Sequence, residues 1–113
     1  MVTLFCFITD LFERPFLLMD SATFSVLARS VRTVLSSENL HSEEREQLAT
    51  LSEMMTNLTT RVEFIMNGRA VLGLQNLVRI DRTAGQLILE QFTENEQRYI
   101  LRARPRKEHN DRK

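Results

Sequence analysis

The sequence predicts an α+β fold, in which two N-terminal helices precede an antiparallel β-meander that forms a small β-barrel, closed or incomplete. Three observations carry this expectation. Apolar residues recur at helical spacing through the first half of the chain. The dipeptide Asn67-Gly68 stands between two apolar runs, and both residues tolerate the positive φ that a type I′ hairpin turn needs. Short apolar runs, separated by polar clusters, then follow as far as residue 104.

The first helix is expected over 20–35. Asp20 or Ser21 caps it, and Phe24, Leu27, Ala28, Val31 and Leu35 mark its buried face. The polar cluster Ser36-Ser37-Glu38-Asn39 breaks the pattern. A second helix begins near Ser42, where Glu43, Glu44 and Glu46 complement the positive end of the helix dipole. Its apolar face is Leu48, Leu51, Met55 and Leu58, and its end is placed near Leu58. The same spacing runs on formally through Val62 and Ile65, so one continuous coiled-coil helix over 48–65 is the competing reading. The β-branched residues Thr59, Thr60 and Val62 weigh against it.

The meander begins with a hairpin over 61–74. A short strand over 77–81 comes next, followed by a turn over 81–85 that opens on Asp81 and places Gly85 where a left-handed residue is wanted. The next strand spans 86–92, with Leu87 and Leu89 on one face. Residues 93–96 form a polar connection. Residues 98–104 are a last strand or a helical turn, and periodicity does not choose between them. Pro105 ends the ordered part, and 105–113 is a charged, flexible tail.

The chain thus divides into an apolar extension over 1–19, one domain over 20–104, and the tail. The extension lacks a basic residue ahead of its apolar run, and Asp10, Glu13, Arg14 and Pro15 interrupt it. It is therefore neither a signal peptide nor a membrane span. It reads as an added strand over 2–8, as a helix docking on the domain, or as sequence upstream of a start at Met19. The single cysteine, Cys6, makes no internal disulfide and reads as a small packed hydrophobe. A cytoplasmic location is expected.

The formal net charge of zero argues against a generic nucleic-acid binder. His41 falls in a loop and His109 in the tail, neither within a catalytic motif. The glycines at 68, 73 and 85 stand apart, so no phosphate-cradling loop forms. The acids at 43–46 have helix-terminus spacing, unlike a calcium loop. No catalytic residue, metal ligand or cofactor is expected. One constellation rises above background. Arg98, Arg102, Arg104, Arg106 and Lys107 fall within ten residues that contain no acid. They form a candidate phosphate- or ligand-binding strip. The bland alternative is a solvated edge strand whose charge prevents edge-to-edge pairing.

Over 48–101 the chain resembles the N-terminal domain of bacterial flagellar brake proteins, the module that precedes a PilZ domain. Val78, Ile80, Asp81, Gly85, Leu87, Leu89 and Glu90 carry the likeness: a strand ending in Val-x-Ile-Asp, an Asp-to-Gly turn, and a Leu-x-Leu-Glu strand. The resemblance implies a split barrel that docks on motor proteins in cyclic di-GMP signalling. Arg98 and Arg102 match the first of two segments with which that family holds the nucleotide; the second is absent here. A weaker resemblance, on Val62, Gly68, Gly73 and Asp81, is to Sm-like RNA-binding proteins. Three functions follow as expectations. The first is a non-catalytic regulatory module with a protein partner. The second is a nucleic-acid or nucleotide binder using the basic strip. The third is a helical coiled-coil interaction protein.

Overall fold

The computed structural model describes residues 14–104. Among them the chain forms six helices and no strand: α1 (Ser21–Leu35), α2 (Ser42–Thr56), α3 (Arg61–Ile65), α4 (Gly68–Ile80), α5 (Arg82–Leu89) and α6 (Glu94–Arg102). The expected α+β fold is thereby corrected to an all-helical one. The first two helices lie where periodicity placed them. Asp20 caps α1 by accepting a hydrogen bond from the Thr23 N–H at 2.8 Å, and Leu27, Val31 and Val34 are buried. In α2, Leu48, Leu51 and Met55 face the core.

The continuous seam over 48–65 does not form, because the chain leaves α2 at Asn57 and turns through Leu58 at φ 56°. The Thr59 N–H then closes the turn on the Met54 carbonyl at 3.2 Å, a Schellman-type helix end. Thr60 starts a new helix. Its hydroxyl accepts from the Glu63 N–H at 3.1 Å, and the Glu63 carboxylate accepts from the Thr60 N–H at 3.2 Å. This reciprocal pair is a capping box. The β-branched run therefore does interrupt the helix, but it leads into another helix.

The hairpin over 61–74 is replaced by α3 and the start of α4. Asn67 has φ −102°, and its side chain accepts from the Ala70 N–H at 3.0 Å. No described glycine has a positive φ, so Asn67-Gly68 is an N-cap and first helical residue in place of a type I′ turn. Ala70, Val71, Leu74 and Leu77 are buried at helical spacing, which period-2 burial cannot produce. The strand over 77–81 is the end of α4. The turn over 81–85 is the N-terminus of α5, where Asp81 accepts from the Ala84 N–H at 3.2 Å. The strand over 86–92 is the rest of α5 and its exit. Leu89 is buried there while Leu87 is only partly so, as residues two apart on a helix point to different sides. The connection over 93–96 is a second Thr-to-Glu capping box, opening α6. The segment over 98–104, left open between strand and helix, is helical through Arg102. The positions supporting the flagellar brake and Sm-like resemblances thus lie on helices or, for Asp81 and Glu90, at their caps, and among the described residues neither barrel is formed.

α4 lies at the centre and packs most extensively on α2. Gly73 permits the approach. A Cβ there would fall inside contact distance of the Gln47 carbonyl oxygen, 2.8 Å from the carbonyl carbon and 3.3 Å from Leu51 Cβ. Gly85 plays the same part between α5 and α4, since its Cβ would lie 2.6 Å from Val78 Cα. Polar side chains fix the remaining angles. Asn76 donates to Gln47 at 2.6 Å, and Arg79 pairs with Glu44 at 2.7 Å. Gln75 donates to the carbonyls of Ile100 and Ala103 at 2.8 and 2.7 Å, closing the end of α6. Arg45 does the same for α1, reaching the carbonyls of Leu35 and Ser37.

The stretch before α1 belongs to this core. Phe16 and Leu17 are buried, and Phe16 stacks on Phe64 at 4.4 Å. Phe92 completes the cluster at 6.1 Å from Phe16 and 5.6 Å from Phe64. The backbone here pairs antiparallel with the α2–α3 connection. The Phe16 N–H donates to the Thr59 carbonyl at 2.9 Å, and the Arg61 N–H to the Arg14 carbonyl at 3.2 Å. Part of the stretch read as an apolar extension over 1–19 thus packs into the core through Phe16 and Leu17. The strand expected over 2–8 lies outside the described residues.

Two substitutions test this architecture. Gly73→Ala in an ordinary helix interior would stabilise by about 1 kcal/mol. Here it is expected to destabilise by about 3 kcal/mol, because the new methyl meets backbone. Chemical denaturation checks the sign, and a gain in stability would refute the close α2–α4 approach. Phe16→Ala is expected to cost about 4 kcal/mol, as for a fully buried phenylalanine; an unchanged denaturation midpoint would place Phe16 outside the core.

Candidate interaction surface on helix α6

The helical state of 94–102 redistributes the predicted basic strip. On a strand, Arg98, Arg102 and Arg104 would share one face. On a helix, Arg98 and Arg102 are one turn apart, and Asn95 and Tyr99 join them on the same side. These four residues, with Ala103, line an open groove of about 430 Å³. Arg98 and Arg102 are exposed, and Tyr99 is 52% exposed. The Arg98 guanidinium donates to Asn95 Oδ1 at 2.5 Å, which holds it across the outer face of the helix. Arg104 lies past the helix end, exposed, and donates weakly to the Ala103 carbonyl at 3.4 Å. Arg106 and Lys107 lie outside the described residues. The structure therefore brings two of the five predicted cations together and adds an aromatic ring. Tyr99 escapes a strand-based reading because alternation would send it to the opposite face.

The remaining predicted features have structural places. His41 is exposed, and its N–H donates to Glu44 Oε1 at 3.1 Å, capping α2. Glu44 also pairs with Arg79. His109 and Cys6 lie outside the described residues. Among the described residues, no group of histidine, cysteine and carboxylate side chains has the geometry of a metal site. Among the described residues, no helix is long and apolar enough to cross a membrane.

The inner side of α6 is anchored. Ile100 is fully buried, and Glu96 pairs with Arg61 of α3 at 2.5 Å. Both side chains of the pair are about three-quarters shielded, at 21% and 25% exposure. Partial burial by itself pushes the Glu96 carboxyl upward. Hydrogen bonds from the Arg61 guanidinium and the Thr93 N–H, together with the Arg61 charge, outweigh that push and hold it below the usual glutamate range. Arg61 Nε is buried without a partner, which subtracts from what the pair contributes. The outer face is thus presented by a helix held at both ends, by the Arg61 pair at its start and by Gln75 at its finish.

Comparison with protein-family models, curated proteins and solved structures finds no match to this chain. The reading of the α6 face rests on its own chemistry.

The Glu96 pair predicts a pH dependence. A carboxyl lowered in the folded state stabilises the fold above its unfolded pKa, near 4.3. That contribution is lost as pH falls through the lower folded value. Glu96→Gln keeps the capping hydrogen bond but removes the charge. It is expected to be less stable than the parent by about 1 kcal/mol at pH 7, a magnitude set by partly exposed ion pairs. The gap should close near pH 3 in urea denaturation, and a gap of equal size at both pH values would contradict the assignment.

Proposed function

We propose that this chain is a helical protein-interaction module, acting in the cytoplasm, that engages an acidic partner segment through the outer face of α6 and performs no chemistry of its own. The observation that carries the reading is the grouping of Arg98, Tyr99 and Arg102 around one open groove whose lining contains no acid. Arginine and tyrosine are the side chains over-represented among residues that dominate binding energy at protein interfaces. The phenol offers a rigid apolar body with a polar tip, and the guanidinium offers planar, bidentate recognition of carboxylates. The single cysteine in 113 residues fits a reducing compartment.

The nucleic-acid reading uses the same cations, but the balance of fifteen basic and fifteen acidic residues supplies no long-range attraction to a polyanion. A protein partner needs only the local complementarity found here.

The test replaces Tyr99 with a photo-crosslinking amino acid in the full chain, in its native cell. A discrete protein adduct is expected. Combining Arg98→Glu with Arg102→Glu should lower its yield about tenfold, since like charge then faces the acidic segment. The same crosslinker at Glu38, on the α1–α2 connection, should give no such adduct. Adducts that vanish on nuclease treatment, or a yield indifferent to the charge reversals, would overturn the proposal.

A further inference from the structure

The chain carries equal numbers of basic and acidic residues, but it does not spread them evenly over its surface. The outer face of α6 presents Arg98 and Arg102 beside Tyr99, in a groove whose lining contains no acid. The outer face of α2 is its opposite. Glu46 and Glu53 are both exposed there, seven residues apart and so on one side of the helix. Ala49, exposed, and Thr50, partly buried, lie between them. A second open groove, of about 450 Å³, runs beside this row, lined in part by Ala49, Ser52 and Glu53; Glu53 is its one charged residue. The only cation on α2, Arg45, is turned toward the end of α1, where it donates to the carbonyls of Leu35 and Ser37.

The two faces match in sign, shape and span. Guanidinium against carboxylate is the pairing that forms strong, directed hydrogen bonds. The half-exposed Tyr99 ring stands out from α6, whereas the small side chains of Ala49 and Ser52 leave room on α2. The Arg98 guanidinium is held at the level of Asn95, by a hydrogen bond of 2.5 Å, and Asn95 is seven residues from Arg102. Glu46 and Glu53 are also seven apart, so both spans are about 10 Å on straight helices. Both helices pack on α4 through their inner sides. Their outer faces therefore point away from α4 and cannot cover one another within one molecule, but two copies bring them together.

We propose that the acidic segment engaged by the α6 face is the α2 face of a second copy of this chain, with Arg98 and Arg102 set against Glu46 and Glu53 and Tyr99 lying over Ala49. The inference rests on the reading of α6 as a docking face and deepens it by naming the partner. The contact joins unlike surfaces, so one copy offers α6 and its neighbour offers α2. Charge complementarity governs it, and salt weakens it.

Sedimentation of the full chain over a range of concentrations at low salt supplies the test. The parent is expected to associate. Arg98→Glu with Arg102→Glu, and separately Glu46→Arg with Glu53→Arg, should each lower the association constant about tenfold, since each variant opposes like charges. An equimolar mixture of the two variants should associate again, because the reversed α6 of one then meets the reversed α2 of the other. This rescue also excludes misfolding as the cause of the losses, and circular dichroism checks that each variant keeps its helices. A parent that stays monomeric throughout, association indifferent to either reversal, or a mixture without rescue would overturn the proposal. A charge-sensitive Tyr99 crosslink solely to a different protein would overturn it while leaving the α6 reading in place; the absence of any charge-sensitive adduct would remove both.

Discussion

The closeness of α2 and α4 is the constraint on which the rest of the structure depends. Gly73 has no side chain to hold the helices apart, and the Gln47 carbonyl occupies the space a methyl would need. Once α4 is set in this way, its other faces determine where everything else goes. Asn76 and Arg79 reach back to Gln47 and Glu44 on α2 and fix the rotation. Val78 meets Gly85, so α5 also lies close against α4. Gln75 takes two carbonyls at the end of α6 and sets where that helix stops. A short, amphipathic α4 could not impose these relations by apolar contact alone, because burial is non-directional. Directional polar contacts at its rim and close backbone contacts at its glycines supply the specificity.

The parts of the fold that were legible in the sequence are those with long periodic signals. α1 and α2 each span fifteen residues, enough for a 3.6-residue period to be distinguished from a 2-residue one. The helices after them span five, thirteen, eight and nine residues. In such windows a run like Leu87-Ile88-Leu89 fits either period. Local turn chemistry then governs the reading, and it points both ways. Asparagine before glycine suits a type I′ turn and also suits an N-cap followed by the first helical residue. Aspartate opening a turn serves equally well as the cap of a new helix. The feature that separates the two is the Thr-x-x-Glu pattern at 60–63 and again at 93–96, where each carboxylate returns to the threonine N–H. The roles of Gly73 and Gly85 have no such local signature. They exist only relative to Gln47 and Val78, distant in sequence or on another helix.

The candidate surface shows the same dependence on period. The cluster of cations was visible as composition, and Arg98 and Arg102 remain together in the structure. Their companions change with secondary structure. Alternation groups Arg98 with Ile100, Arg102 and Arg104, whereas a helical turn groups Arg98 with Asn95, Tyr99 and Arg102. Ile100 is in fact fully buried, which a shared basic face would not allow. The cluster therefore changes from a bare cationic strip to a mixed aromatic and guanidinium face.

The stretch before α1, α3 and the entry to α6 also share one support. Phe16 lies in the stretch leading out of residues 1–13, Phe64 lies on α3, and Phe92 leads into α6; the three rings form one cluster. Above that cluster the Arg61–Glu96 pair joins α3 to α6 directly. Close-packed aromatic rings transmit displacement because they leave little void to absorb it. Phe16, Phe64 and Phe92 therefore hold the stretch around Arg14 and Pro15, α3 and the entry to α6 against one another. Leu58 sits at the hinge of this arrangement. A left-handed backbone costs a β-carbon-bearing residue about 1–2 kcal/mol, and glycine would avoid that cost. Leucine at this position carries that cost while its side chain stays 66% exposed. The strained turn at Leu58 and the aromatic cluster together fix where α3 departs from α2 and how it meets the chain entering α6.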